Sequence, residues 1–469
     1  MIRNEKLRML RAFLGTLPET VAVRLAKAVE MDRLADGKSL PHDLILDGLR
    51  PVLRRAGNVE RTPSPLRLFC EPFSDLLTNR PRKEKTAGRI AHTSIPTVWG
   101  WLSKTLLPEE TAQYSEAVKA DILAFRIDNA HQRALEFWPL ASSEILSALS
   151  STSSATNKAT RAALGGDAVI ADAREMAIML AVGSDIVELQ RKLPSSAQAL
   201  DDDILHALRA TYDAVVDVMP DAAPFIAVVA MNRLARPWEA LRLPLAISRT
   251  TQDTLISNTD MGLVGEILFA DIEEHAIAVR SARQPEFDVD GLVAHIQAFA
   301  MLSSGLVKEV EMRRAGKWGQ RLLKDRAALA EVMDAYMERA PREVLAALPT
   351  VKSGSFAGSP RVPDLRHAPD VEKKERALRY AQLISGCKDF AAQGSFGSSL
   401  AGAQEEVALV LQTYCDEMLR ELKSATGERR EIAEQFFTLA ADLTGLLLSP
   451  EEGEFLRRRG RAALAQAAA

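Results

Sequence analysis

Two pairs of aspartates are the residues of this chain whose type and spacing come nearest to a catalytic pattern. Asp43 and Asp47 form one D-x-x-x-D, and Asp213 and Asp217 form another. Carboxylates one helical turn apart share a face and can jointly hold a hard cation such as magnesium. Two such pairs on facing helices would make a metal-dependent site for a diphosphate-type substrate. The aromatic and basic residues that such a site needs do not accompany them. Asp43 also follows His42 directly in what reads as a helix's first turn, where an acid complements the helix dipole.

The other constellations resolve in the same way. The seven histidines are scattered, with no H-E-x-x-H. Asp271 and His275 lie four apart beside Glu274, but a di-iron bundle needs Glu-x-x-His on two helices. An exposed acidic helix face is the expectation, with no metal and no cofactor. There is no G-x-x-x-x-G-K-[ST], no strand-borne G-x-G-x-x-G and no G-x-S-x-G, and Gly394-Ser395-Phe396-Gly397 reads as a polar turn. Cys70, Cys387 and Cys415 are far apart and odd in number, so neither a zinc site nor a disulfide framework is expected. That usage fits a reducing cytoplasm.

Basic residues gather in the segment Asn79 to Gly88, at Arg80, Arg82, Lys83 and Lys85 with Arg89 just beyond, and again at Arg457, Arg458, Arg459 and Arg461. Nucleic-acid binding normally shows a basic domain with stacking aromatics, whereas the pI is about 6.1. The N-terminal segment sets Leu7, Leu10 and Leu14 on one helical face beside Phe13, with Lys6, Arg8 and Arg11 elsewhere. Such a helix can dock on its own domain or lie on an anionic membrane surface.

The elements that must carry these residues read as helices. The chain has 469 residues, 47% of them hydrophobic, 5% aromatic and 26% charged, with net charge −4. Abundant Ala and Leu with few aromatics favour helices over sheets, and the Ala/Arg/Leu bias suggests a GC-rich bacterial genome. Tyr114, Val118, Ile122 and Phe125 fall on one helical face, as do Val407, Leu411, Tyr414, Met418 and Leu422. Ile432, Phe436, Leu439, Leu443 and Leu447 follow after Gly427, which predicts a helical hairpin. Thr16-Leu17-Pro18-Glu19 and Ser449-Pro450-Glu451-Glu452 have capping-box form, and Ser195 with Gln198 is a third candidate. Leu-Pro pairs at 17–18, 40–41, 107–108, 193–194, 243–244 and 348–349 punctuate a series of helices. Trp99 and Trp101 read as core.

The expected fold is all-α, a multi-helix array of stacked helical hairpins, solenoid-like or bundled, with a C-terminal helical bundle. A Ser/Thr/Gly-rich tract at 150–166 and a Gly/Pro-rich tract at 350–370 read as linkers. They would separate an N-terminal helical domain at 1–149, a central array at 167–349 and a C-terminal bundle at 371–469.

No apolar run nears the roughly 20 residues of a membrane span, and Met1 to Arg8 lacks the apolar stretch of a secretory signal. A soluble, cytoplasmic protein is expected. Charge is uneven, with nine Lys/Arg against four Asp/Glu over 51–100 and seven against sixteen over 201–300. Such asymmetry can orient a partner or join two copies. Helical periodicity without a convergent polar constellation points to a non-enzymatic interaction or scaffold protein that binds a protein partner or itself. The alternatives are the metal-dependent enzyme of the paired aspartates and a peripheral membrane protein using residues 1–15.

Overall fold

The structure is a computed structural model of the full chain, and it describes every residue except 1, 39, 58–60, 80–84, 195, 283–285, 354–360 and 469. It is all-α. Helices follow one another from Ile2–Gly15 to Pro450–Ala468, and the described strands are four pieces of two or three residues. The long helices pack chiefly on sequence neighbours, as Ile127–Ser150 does on Asp167–Ala181 and Leu263–Ser281 on Val289–Glu309. Contacts divide the chain between Leu243 and Pro244 into two compact units.

The tracts read as linkers lie inside these units. Ser154–Leu164 is helical, its first turn capped by the Ser153 hydroxyl accepting from the Thr156 N–H, and it ends at Gly165 with φ +84°. Thr350–Lys352 pairs antiparallel with Arg361–Pro363. Part of each tract is regular structure, a capped helix in the first and two paired strands in the second.

In the N-terminal unit Leu14, Ala22, Ala26, Leu49 and Val52 form a local core among the first three helices. A larger core surrounds Trp138, whose indole N–H donates to Leu68 O at 3.1 Å. Trp99 joins an aromatic cluster with Phe69, Tyr114 and Phe137, in which Tyr114 and Phe137 stack at 4.3 Å, and Trp101 is buried. The face of Tyr114, Val118 and Ile122 is buried as the periodicity predicts. Phe125 is not part of it: the helix ends at Leu123, Phe125 takes φ +59°, and its ring is 83% exposed.

In the C-terminal unit the faces 407–422 and 432–447 are buried throughout, on helices Gly397–Ser424 and Glu428–Leu447 that pack on each other. Gly427 turns between them at φ +58°, a region costly for residues with a Cβ. Ser449 caps the last helix, its hydroxyl accepting from Glu452 N–H at 3.2 Å. Thr16 does otherwise: its hydroxyl donates back to Phe13 O at 2.8 Å, closing the first helix instead of opening the second. Ser195 lies outside the described residues. Prolines also occur inside helices, at Pro51, Pro139 and Pro341. Among the described residues one helix, Val289–Glu309, is long and apolar enough to cross a membrane, and 44% of its apolar window is buried within the protein.

Candidate functional site

The sequence-derived aspartates occupy exposed positions. Asp43 accepts from Arg33 at 3.0 Å, and Asp47 pairs with Arg50 at 3.1 Å. Both oxygens of Asp213 accept from Arg209 Nε, at 3.1 and 3.2 Å, so a shared cation would have to displace that guanidinium. Asp217 lies one turn further along helix Asp202–Val218. The helix bearing Asp43 and Asp47 packs on the first two helices, whereas the helix bearing Asp213 and Asp217 packs on its own sequence neighbours, Gly183–Lys192 and Ala223–Arg233.

His275 meets His295, their Nδ1 atoms 2.9 Å apart, so one ring donates and the other accepts. Among the described residues no three His, Cys, Asp or Glu side chains gather as a metal site would require. The thiols are buried and free. Burial pushes Cys70 and Cys387 up to about 12 and Cys415 to about 11, far from the thiolate character a nucleophile needs. Arg80, Arg82 and Lys83 lie outside the described residues. Lys85 belongs to a network that no motif announced.

Its ammonium lies 2.7 Å from Asp172 Oδ1, 2.7 Å from Glu175 Oε2 and 2.6 Å from Arg89 O. Asp172 and Glu175 sit one turn apart on helix Asp167–Ala181, 2% and 7% exposed. The second oxygen of Asp172 accepts from Ser94 Oγ at 2.6 Å and Ala91 N–H at 3.2 Å. Gly88 N–H donates to the second oxygen of Glu175 at 3.2 Å. Two carboxylates thus share one cation in a dry setting. Burial pushes Glu175 up to about 7, against the lowering pull of Lys85. A second network inverts this logic. Burial would raise Glu30, but hydrogen bonds from Arg67 and Arg61 outweigh it and hold the carboxyl down to about 2.

These two glutamates give opposite stability slopes. Glu175 is raised when folded, so it withdraws stability as pH rises from 4.5 toward 7, a span worth up to about 3 kcal/mol. Glu30 is depressed when folded, so its contribution is present above 4.5 and lost as pH falls toward 2. Urea denaturation across pH is expected to show Glu175→Gln flattening the limb between pH 5 and 8, and Glu30→Gln flattening the limb below pH 4. An unchanged neutral limb in Glu175→Gln would contradict the assignment.

Both networks tie chain segments together inside the N-terminal unit. Two other features face outward. On helix Ile2–Gly15, Leu14 is buried and Arg55 Nη2 donates to Gly15 O at 3.0 Å, which seats the helix on its own unit. Met9 and Phe13, one turn apart, stay 67% and 61% exposed beside exposed Arg8 and Arg11. In the C-terminal unit a cavity of about 670 Å³ is walled by Leu348, Pro349, Leu409 and Val410, with Arg361 and Tyr414 among its polar lining. That volume falls within the ordinary range for small-molecule sites. The sequence showed the first helix as amphipathic but neither its uncovered face nor the cavity, because helical periodicity says which face is apolar and not whether a neighbour covers it. No family model, curated protein or solved structure matches this chain.

Proposed function

We propose that this chain is a non-enzymatic interaction protein, an adaptor of two helical units that holds a protein partner or a second copy of itself on its N-terminal helix. The observation that supports it is the exposed pair Met9 and Phe13 on a helix already anchored from its other side by Leu14. An apolar patch rimmed by charge costs solubility and is normally kept for recognition. The uneven charge along the chain supports an oriented, electrostatically steered contact. Three buried free thiols fit a reducing compartment, and the proposal places the protein in the cytoplasm.

A photoactivatable phenylalanine analogue at position 13 tests this reading in cells. A discrete crosslinked species is expected from position 13 and not from Val371, an equally exposed apolar position in the C-terminal unit. No crosslink at 13, or the same smear from both positions, would overturn it. Arg8 and Arg11 favour a second reading, an anionic membrane surface as the occupant of this face; crosslinking to lipid rather than protein would select it.

A further inference from the structure

We propose that His275 and His295 form an acid-operated latch between helices Leu263–Ser281 and Val289–Glu309, closed while the two rings share one Nδ1 proton and open once each ring holds its own. The two helices pack on each other, and both rings are half-buried. Their Nδ1 atoms stand 2.9 Å apart and their ring centres 5.2 Å apart. The centres lie as far apart as that nitrogen gap allows, so the nitrogens meet head-on, the alignment a hydrogen bond prefers. A first added proton goes to Nε2 of the donor ring and makes the bond the stronger, charge-assisted kind. A second has only the accepting Nδ1 left, and it binds there only when the bond breaks. Two N–H groups and two positive charges then face each other, so the rings part.

The surroundings give the opened ring a place to go. His295 lines a cavity of about 440 Å³ together with Glu286 and Asp288, which suits an imidazolium turning away from its partner. On its own helix His275 has Asp271 one turn before it and Glu274 beside it, and Asp260 stands in the turn Asp260–Gly262 at the helix start. The helix of His295 carries no other acidic or basic residue from 291 to 307. Lys317–Ala346, packed on the first helix, brings Arg321, which is spent on Glu266 and Glu273, and Asp325, which senses Glu273 and Arg280. Val371–Cys387, packed on the second, meets it where Gly386 abuts Val293. The charges flanking that contact are Arg379 and Lys388, and Lys388 donates to Leu447 O at 2.8 Å. Carboxylates predominate in these surroundings, and they draw protons onto the pair.

NMR of the full chain with nitrogen-labelled histidine, titrated from pH 8 to 4.5, tests the latch. The pair is expected to take up its protons in two steps separated by more than about one pH unit, while the exposed His367 titrates in one. Hydrogen exchange of the amides in Val289–Glu309, corrected for its intrinsic pH dependence, should rise about tenfold through the second step, the worth of one charge-assisted hydrogen bond. His295→Gln keeps a hydrogen-bonding side chain without the titration, so it should abolish both the second step and the rise in exchange. His275→Gln gives the same reading should that variant fail to fold. Glu286→Gln should move the second step to lower pH. Two results would overturn the inference: rings that each titrate in one step whether or not the other is replaced, or a rise in exchange that persists in both glutamine variants. A second step unmoved in Glu286→Gln would overturn the cavity as the destination of the ring.

Discussion

Lys85→Met is expected to destabilise the N-terminal unit by about 3–5 kcal/mol, the usual cost of removing one partner from a buried ion pair. The variant leaves Asp172 and Glu175 facing each other with the cation gone, both almost fully buried. It also removes the Lys85 tie to this helix, leaving the chain up to Ser94 held by Gly88 N–H, Ala91 N–H and Ser94 Oγ on the same two carboxylates. That segment leads into helix Ser94–Trp101, which delivers Trp99 to its aromatic cluster. The loss should be greatest at pH 8 and shrink toward pH 5, because Glu175 can then take up a proton and cease to repel Asp172. Adding Glu175→Leu to Lys85→Met should restore more than half of the lost stability by removing one of the stranded charges. Urea denaturation followed by circular dichroism reads all three effects. A loss under about 1 kcal/mol for Lys85→Met at pH 8 would show that the network contributes little, as exposed pairs do.

Trp318→Ala is expected to cost the C-terminal unit about 3–5 kcal/mol, the range for removing a fully buried large aromatic. Trp318 has no exposed surface, packs at 5.9 Å from Phe269, and donates its indole N–H to Glu266 at 3.0 Å. Glu266 keeps Lys317 and Arg321 in the variant, so the cost is mainly the cavity left behind. The ring lies directly over Gly265, where any Cβ would collide with it. Gly265→Ala should therefore destabilise the wild type yet be neutral or favourable in the Trp318→Ala background. A double-mutant cycle makes that change of sign measurable. Additive losses would mean that the two positions do not share the contact.

These two positions also mark what could be read from the sequence. The buried faces at 407–422 and 432–447, the turn at Gly427 and the cap at Ser449 follow from periodicity and local chemistry, and the structure bears them out residue by residue. The failures are local as well. Phe125 fits the spacing of its helix but falls two residues past its last helical residue, Leu123. Thr16 has the right spacing for a capping box, yet its hydroxyl serves the preceding helix.

The polar networks were illegible for a different reason. Lys85 and Glu175 are 90 residues apart, and nothing in either neighbourhood signals the other. By contrast the aspartate pairs, conspicuous because they are local, sit on exposed faces and are engaged largely by arginines of their own surroundings. Spacing along a helix identifies a shared face; only packing decides whether that face meets water, a core or a cavity. The exposed face at Met9 and Phe13 and the cavity beside Tyr414 both depend on that decision.

The proposal that this chain works by holding a partner rests on the first of these, and one measurement reaches it directly. A fluorescently labelled full chain can be followed by sedimentation velocity in a lysate of the cells that express it, as wild type and as the Met9→Ser/Phe13→Ser variant. Both positions are exposed, so the variant should keep the wild-type fold. The wild type is expected to sediment as a discrete species heavier than the 51.3 kDa monomer, and the variant as the monomer. A wild type that sediments alone as a monomer, or a variant that travels in the same complex as the wild type, would contradict the account.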